Sequence, residues 1–290
     1  MTPWLLVALI AGAGVGWRAL AARRVERAYT SRFTITPSGV AAGAESFELA
    51  GTNGRALLLL HGSGDTPQTL HYLGERLHAA GYTVYAPLLP GHGRSPRAFT
   101  EVSAGIYHAA ARRELDRLRA RASWVGVLGL SMGGALAAQL AAESSDVRVL
   151  VLLAPYLTPP PLVRWSARTS RLWGLVIPYL GARGERSVHD PVAGAASYAY
   201  GVFPPRALRA LVETSRQGLR ALPHVSAPTL VVNSTQDNRI PARLAESALA
   251  FVPASTERHW VTHCGHVITV DYCKDQVAEL VLGFLARHTT

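Results

Sequence analysis

Short apolar runs alternate with helical patterns through most of this chain, and this alternation limits the fold more than any other feature. Six runs have the length of a buried strand and are bounded by Gly, Pro or Ser: RALLLLHG, YTVYAPLLP, SWVGVLGLS, RVLVLLAP, APTLVVNST and TERHWVTH. Four other stretches space their apolar residues as helices do: LHYLGERLHAA, AGIYHAAARRELDRLRARA, MGGALAAQLAAES and KDQVAELVLGFLARH. Strand–helix alternation predicts an α/β fold with a mostly parallel central sheet and helices on both faces.

A turn precedes the first of these strands. The segment Thr52–Gly54 (TNG) has the composition of a hairpin turn and follows the run SFELA. We therefore expect SFELA to be a strand that joins the next one through a hairpin.

One long segment breaks the alternation. Between about 156 and 226 the chain has no buried-strand signal and is rich in prolines, aromatic residues and helical patches. Some 70 residues are too many for an ordinary crossover connection. We predict a helical cap inserted over the carboxyl edge of the sheet, where ligands bind in folds of this class.

The amino-terminal residues form an apolar stretch followed by a basic one. Residues 4–17 carry no charge, and extension to residue 22 adds only Arg18, before Arg23, Arg24 and Arg27. Nineteen such residues are just enough to span a bilayer, and the basic flank predicts a cytoplasmic domain behind a single anchor. The alternatives are a cleaved signal peptide, which would make the domain secreted or periplasmic, and a buried amphipathic helix. The division is thus 1–28 for the anchor and basic flank, and 29–290 for the folded domain.

The chain is strongly basic, with a formal net charge of +10. Arginine supplies nearly all of the positive charge, since Lys274 is the only lysine. The arginines are scattered, and no run interleaves them with aromatic residues, so we do not expect nucleic-acid binding. An anionic membrane surface is the better partner for this charge, and residues 4–22 are its expected point of association.

Two cysteines, Cys264 and Cys273, are too few for a disulfide framework. They fit a reducing compartment, with one bridge between them as the alternative. Neither they nor the nearby His263, His266 and Asp271 form a CxxC or HExxH pattern, so no metal site is predicted.

The stretch Gly129–Gly134 (GLSMGG) lies between a buried-strand run and an alanine-rich helical run. That strand–turn–helix setting is the context in which G-x-S-x-G presents a nucleophilic serine. Glycines flank the serine because the turn is strained and the backbone packs closely. The motif therefore indicates that Ser131 is a nucleophile.

A serine nucleophile needs a base that a third group orients, in the chain order Ser, acid, His for this fold. Asp237 follows the strand APTLVVNST, and His266 follows the last strand, in THCGHVITVD. With these residues the chain resembles the α/β-hydrolase family, in its serine esterase and lipase branch. The segments GHVITVDYCKDQVAELVLGFL and APTLVV…D…IP are most similar to the carboxylesterase and monoacylglycerol-lipase-like group, and the resemblance covers about Arg55 to His288.

The resemblance implies an oxyanion hole made by two backbone N–H groups, those of Ser63 in the HGSG turn and of Met132 after the nucleophile. It also implies that His92 in PGHGRS shapes a turn. His263 is the rival base to His266. Asp271 is the rival acid to Asp237, and we expect it to cap the final helix instead.

The expected activity is hydrolysis of carboxylic esters by a Ser131–His266–Asp237 triad through an acyl-enzyme, without cofactor or metal. The aromatic cap and the apolar amino terminus favour lipid-like esters such as a monoacylglycerol or a lysophospholipid. The alternatives are an acyltransferase, thioesterase or peptidase with the same triad, and a non-enzymatic binding protein with this fold.

Overall fold

The computed structural model describes residues 3–181, 187–253 and 255–289. Its strands are β1 Phe47–Leu49, β2 Arg55–Leu60, β3 Thr83–Ala86, β4 Trp124–Leu130, β5 Val147–Leu153, β6 Leu180–Gly181, β7 Val202–Phe203, β8 Thr229–Ser234 and β9 Glu257–Val261. Seven of them form one sheet in the order β1-β3-β2-β4-β5-β8-β9, with only β1 antiparallel to its neighbour. All six runs that the sequence predicted as strands lie in this sheet, so the mostly parallel α/β fold is confirmed.

The helices are α1 Pro3–Thr30, α2 His71–Ala79, α3 Ala104–Arg119, α4 Met132–Glu143, α5 Pro161–Trp173, α6 Pro191–Ala195, α7 Pro205–Ala221, α8 Ala242–Leu249 and α9 Lys274–His288. They cover both faces of the sheet. Leu57 and Leu59 of β2 pack in the core that α2 and α9 complete, whereas Leu58 and Leu60 pack in the core of α3, α4 and α8. Successive strand residues point to opposite faces, so a continuous apolar run is what a strand covered on both sides requires.

The predicted hairpin at Thr52–Gly54 is wrong. β1 pairs with β3, through Phe47 opposite Ala86, and does not pair with β2. The amides of Thr52 and Asn53 donate to the carbonyl oxygen of Gly81, at the end of the turn before β3. The turn therefore connects two strands between which β3 lies, and its composition carries no information on that third strand.

The cap lies between β5 and β8 and comprises α5, β6, α6, β7 and α7, with β6 and β7 forming a small antiparallel pair. Its last helix, α7, packs directly on α4. At Gly218 of α7, a Cβ would lie 2.6 Å from the carbonyl oxygen of Ala135, so only glycine permits this approach. The cap is thus a helical insertion whose last helix belongs to the body of the molecule.

The second half of α1 contacts the cap. Arg18 donates to the carbonyl oxygen of Gly174, the hydroxyl of Tyr179 donates to Glu26, and the hydroxyl of Tyr29 donates to the carbonyl oxygen of Tyr198. No helix of the described chain is long and apolar enough to cross a membrane, so the spanning anchor predicted over residues 4–22 is not supported.

Cys264 and Cys273 form a disulfide, with their Cα atoms 5.8 Å apart. Of the two states that the sequence allows, free thiols or one bridge, the structure has the bridge. It closes the loop that carries His266.

Candidate active site

The nucleophile candidate lies on a strained turn between β4 and α4. Ser131 has φ +56° and ψ −118°, a conformation that residues with a Cβ rarely adopt. The flanking glycines are required by contact, because a Cβ on Gly129 would lie 2.2 Å from the carbonyl oxygen of Gly133, and one on Gly133 would lie 2.0 Å from that of Leu60. The sequence folds into this sharp elbow because those two positions lack side chains.

The structure brings the side chains of Ser131, Asp237 and His266 together, from the ends of β4, β8 and β9. His266 Nε2 lies 2.7 Å from Ser131 Oγ, and His266 Nδ1 lies 2.7 Å from Asp237 Oδ2. All three side chains are buried, with 8% of Ser131 and 6% of His266 exposed. The geometry is that of a nucleophile, a base and an orienting carboxylate in one hydrogen-bonded chain.

Asp237 is held as a carboxylate. Its Oδ1 accepts from the backbone N–H groups of Arg239, at 2.7 Å, and Ile240, at 2.8 Å. Burial raises the pKa of Asp237, but His266 and the two amides outweigh burial, so the pKa lies below its ordinary value. An ionised carboxylate is the form that accepts the Nδ1–H of His266 and fixes its tautomer.

The two backbone groups predicted as an oxyanion hole lie beside the serine. Ser63 follows β2, and a Cβ on the preceding Gly62 would lie 3.3 Å from the Cβ of Ser131. Met132 is the first residue of α4. Among the described residues neither the Ser63 nor the Met132 N–H has an acceptor, so both are available to an oxygen at the elbow.

Two buried histidines support that loop. His92 Nε2 accepts the N–H of Gly64, at 2.9 Å, and His61 Nε2 accepts the N–H of Leu89, at 3.0 Å. Burial lowers the pKa of His92 to about 4 and that of His61 well below its ordinary value, so both rings are neutral acceptors. His92 contacts the turn next to Ser63, which agrees with a turn-shaping role.

The rival residues lie elsewhere. His263 is exposed, with φ +62°. Asp271 is buried, but its carboxylate does not cap the final helix: α9 begins after Cys273, which makes no side-chain cap. The prediction that Asp271 caps the final helix is therefore wrong. Its carboxylate accepts hydrogen bonds from four backbone N–H groups of nearby loop residues instead.

A cavity of about 950 Å³ opens above the serine. Ser131, His266 and the Ser63 loop line its floor. Most of its apolar wall comes from the cap and includes Leu162, Val163, Trp165, Trp173, Ile177, Leu180, Val202, Phe203, Leu208 and Leu211. A large pocket with a mostly apolar wall and polar groups near its floor is typical of a small-molecule site.

Several polar residues of the cavity wall were not predicted from the sequence, among them Arg32 and Asp65, which carry charge-bearing groups. Arg32 reaches the wall from the segment after α1, and Asp65 lies two residues after Ser63. Burial raises the pKa of Asp65 to about 7, although the amide of Thr66, which donates to Oδ1 at 2.9 Å, lowers it. The acidic residue in HGSGD was the one available signal. Within the described ranges no group of three or more His, Cys, Asp or Glu residues could hold a metal ion.

The fold and this elbow define the class. The model of the alpha/beta hydrolase family matches residues 57–280, and the chain belongs to that family. It is 29% identical to a thermostable monoacylglycerol lipase of Bacillus sp. (strain H-257), over 86% of this chain and 97% of that protein. A carboxylesterase of Bacillus subtilis (strain 168) is 24% identical over 80% of this chain and 93% of that protein.

Solved structures agree with this assignment. One from the metagenome-derived lipolytic enzymes LipS and LipT superposes with a TM-score of 0.77 at 25% identity, over 88% of this chain and all of that one.

Proposed function

We propose that this protein hydrolyses carboxylic esters with lipid-like acyl groups through an acyl-enzyme on Ser131. As a member of this family with lipase and esterase relatives, it is an ester hydrolase of the α/β fold. The observation that supports the mechanism is the continuous hydrogen-bonded chain from Ser131 through His266 to Asp237 at the floor of an apolar cavity.

The chemistry follows from that arrangement. Ser131 Oγ attacks the ester carbonyl carbon while His266 Nε2 takes the hydroxyl proton. The N–H groups of Ser63 and Met132 stabilise the negative oxygen of the tetrahedral intermediate. His266 then protonates the leaving alkoxide, and later activates the water that releases the acid from the serine. Asp237 stabilises the imidazolium in both halves, and no cofactor or metal takes part.

The cavity supports a lipid-like substrate. Its volume of about 950 Å³ is near the upper end of the range for small-molecule sites, and its cap wall is largely aliphatic and aromatic. One relative is a monoacylglycerol lipase by name. A monoacylglycerol or a lysophospholipid fits these features better than a short polar ester.

The test is a series of p-nitrophenyl esters of increasing acyl length, extended with monoacylglycerols and lysophospholipids. We expect kcat/KM to rise with chain length and Ser131→Ala to abolish hydrolysis without loss of the fold by circular dichroism. Ser63→Ala is the matched control, because it keeps the backbone N–H and should keep most of the activity. Activity that survives in Ser131→Ala refutes the mechanism.

The same series separates the alternatives. An acyltransferase would pass the acyl group to an added alcohol faster than to water, and a thioesterase or peptidase would prefer a thioester or an amide. A folded wild-type protein that does not react with a fluorophosphonate probe would be a binding protein.

We also propose that the amino-terminal segment, residues 4–22, associates with an anionic membrane surface. Trp4, Val15, Trp17 and Leu20 are exposed, and Arg18 and the arginines at 23, 24 and 27 supply positive charge. Apolar contact combined with basic charge is what binds helices to anionic lipid surfaces. We expect the full chain to float with vesicles containing phosphatidylglycerol, and Trp17→Ser with Leu20→Ser to weaken that flotation.

A further inference from the structure

Asp271 has an unusual set of hydrogen bonds for a carboxylate outside the candidate triad. The residue is fully buried, with 0% exposed, and its partners among the described residues are backbone N–H groups. Each of its oxygens accepts two backbone N–H groups. Oδ1 accepts from Asp190 at 2.9 Å and Tyr272 at 2.9 Å, and Oδ2 accepts from His189 at 2.8 Å and Gly265 at 2.7 Å.

These donors come from two separate parts of the chain. Gly265 immediately precedes His266, whereas His189 lies in the segment 187–190 of the cap, between β6 and α6. The residue after the histidine makes a second link, because the N–H of Val267 donates to the carbonyl oxygen of Ser187 at 3.1 Å. His266 is therefore held on both of its chain sides by segment 187–190, once directly and once through Asp271.

The same segment reaches the loop of the candidate acid. Arg239 Nε donates to Ser187 Oγ at 2.6 Å, and the backbone N–H of Arg239 donates to Asp237 Oδ1 at 2.7 Å. Ser187 thus contacts both the loop after β8 and the loop after β9. The relative position of Asp237 and His266 is consequently fixed against one short segment of the chain.

The carboxylate is ionised in this setting. Burial raises the pKa of Asp271, but the four amide donors outweigh burial and the pKa lies below its ordinary value. An asparagine has the same shape but only one oxygen. Its NH2 group would face two of the four N–H donors, so two backbone groups would lose their acceptor at one end of the histidine loop.

We propose that Asp271 is a positioning residue, whose carboxylate locks the His266 loop to segment 187–190 and so holds the imidazole between Ser131 and Asp237. The proposal rests on the proposed function, since it assigns Asp271 a part in the same reaction. Asp271 touches neither Ser131 nor the imidazole and takes no proton in the reaction.

The test is Asp271→Asn in the full chain, with hydrolysis of a soluble p-nitrophenyl ester as the assay. A misplacement of a reacting group by about 1 Å costs about 100-fold, so we expect kcat to fall by about 10- to 100-fold. KM should change less than kcat, because most of the apolar wall lies on α5, β7 and α7, none of which bonds to Asp271. The downfield proton NMR signal of His266 Nδ1–H should broaden or disappear.

Two further variants make the result specific. Glu45→Gln is the matched control, because the Glu45 carboxylate also accepts a backbone N–H group, that of Gly43 at 2.7 Å, but lies outside segment 187–190, the His266 loop and the cavity wall. It should leave kcat unchanged. Asp271→Glu keeps the charge and both oxygens, and should recover part of the kcat that Asp271→Asn loses.

The outcomes are distinct. A folded Asp271→Asn with wild-type kcat, or an equal loss of kcat in Glu45→Gln, overturns the positioning role. If neither Asp271 variant folds, Asp271 serves folding alone and the proposal is also overturned. A wild-type protein that hydrolyses no ester would instead refute the proposed function.

Discussion

The backbone of Ser131 stores strain that can be measured by changing only its side chain. With φ at +56° and ψ at −118°, any residue with a Cβ pays a conformational cost at this position that glycine does not. Ser131→Ala removes the hydroxyl and keeps the strain, whereas Ser131→Gly removes both. The lost hydrogen bond to His266 is common to the two variants and cancels when they are compared.

The expected difference in the free energy of unfolding follows from two opposing effects. Relief of a sparsely populated conformation gains about 1–3 kcal/mol. Glycine loses about 0.5–1 kcal/mol through its larger entropy in the unfolded chain. The net advantage of Ser131→Gly over Ser131→Ala is therefore about 1 kcal/mol, which corresponds to about 2–4 °C in Tm for a domain of this size.

The assay is thermal unfolding of the two inactive variants, followed by calorimetry. Ala109→Gly provides the reference, because Ala109 is exposed within α3 and the same change of residue there should lower stability by about 1 kcal/mol. If Ser131→Gly melts at or below the temperature of Ser131→Ala, the elbow is not strained and the reasoning fails.

Three other changes give separate predictions. Asp237→Asn should lower kcat by about 10⁴-fold through the wrong imidazole tautomer, and a loss under tenfold in the ester assay would reassign the acid. Because the pKa of Asp65 is raised to about 7 in the folded state, stability falls as pH rises from about 4 to 7. Asp65→Asn should therefore raise Tm relative to wild type at pH 8 and not at pH 4; an equal effect at both would contradict that pKa. Tyr179→Phe, which removes the bond to Glu26, should speed amide exchange in α1 without changing kcat on a soluble ester; unchanged exchange would show that this contact does not hold the helix.

The three candidate triad residues could be placed from sequence because each follows a strand. Parallel strands bring their carboxyl ends to one edge of the sheet, so a serine after β4, an aspartate after β8 and a histidine after β9 must lie near one another. The sharp turn at Ser131 could also be predicted from sequence, because its glycines lie where the backbone has no room for a Cβ. What made the site predictable was therefore the order of strands along the chain.

The features that were predicted wrongly or missed depend on contacts between segments that are distant in the sequence. The turn Thr52–Gly54 has hairpin composition, but β3 lies between the strands that it connects. Asp271 is a residue type that commonly caps helices, and it precedes α9. Backbone N–H groups of residues 189 and 190, about 80 positions earlier in the chain, donate to its carboxylate instead. The contacts of α1 with the cap likewise join residues more than 150 positions apart, and no local pattern encodes them.

The close approach of Gly218 to Ala135 sets a limit on how the cap can be exchanged between relatives. At this contact α7 packs against α4 without room for one methyl group. A cap transplanted from a relative together with its own α7 would place a different helix surface against α4. A chimaera should instead keep α7 as part of the recipient, with its junctions at the prolines Pro160 and Pro204 that precede α5 and α7. The interchangeable module is the stretch between those two prolines, which is shorter than the insertion seen in the sequence.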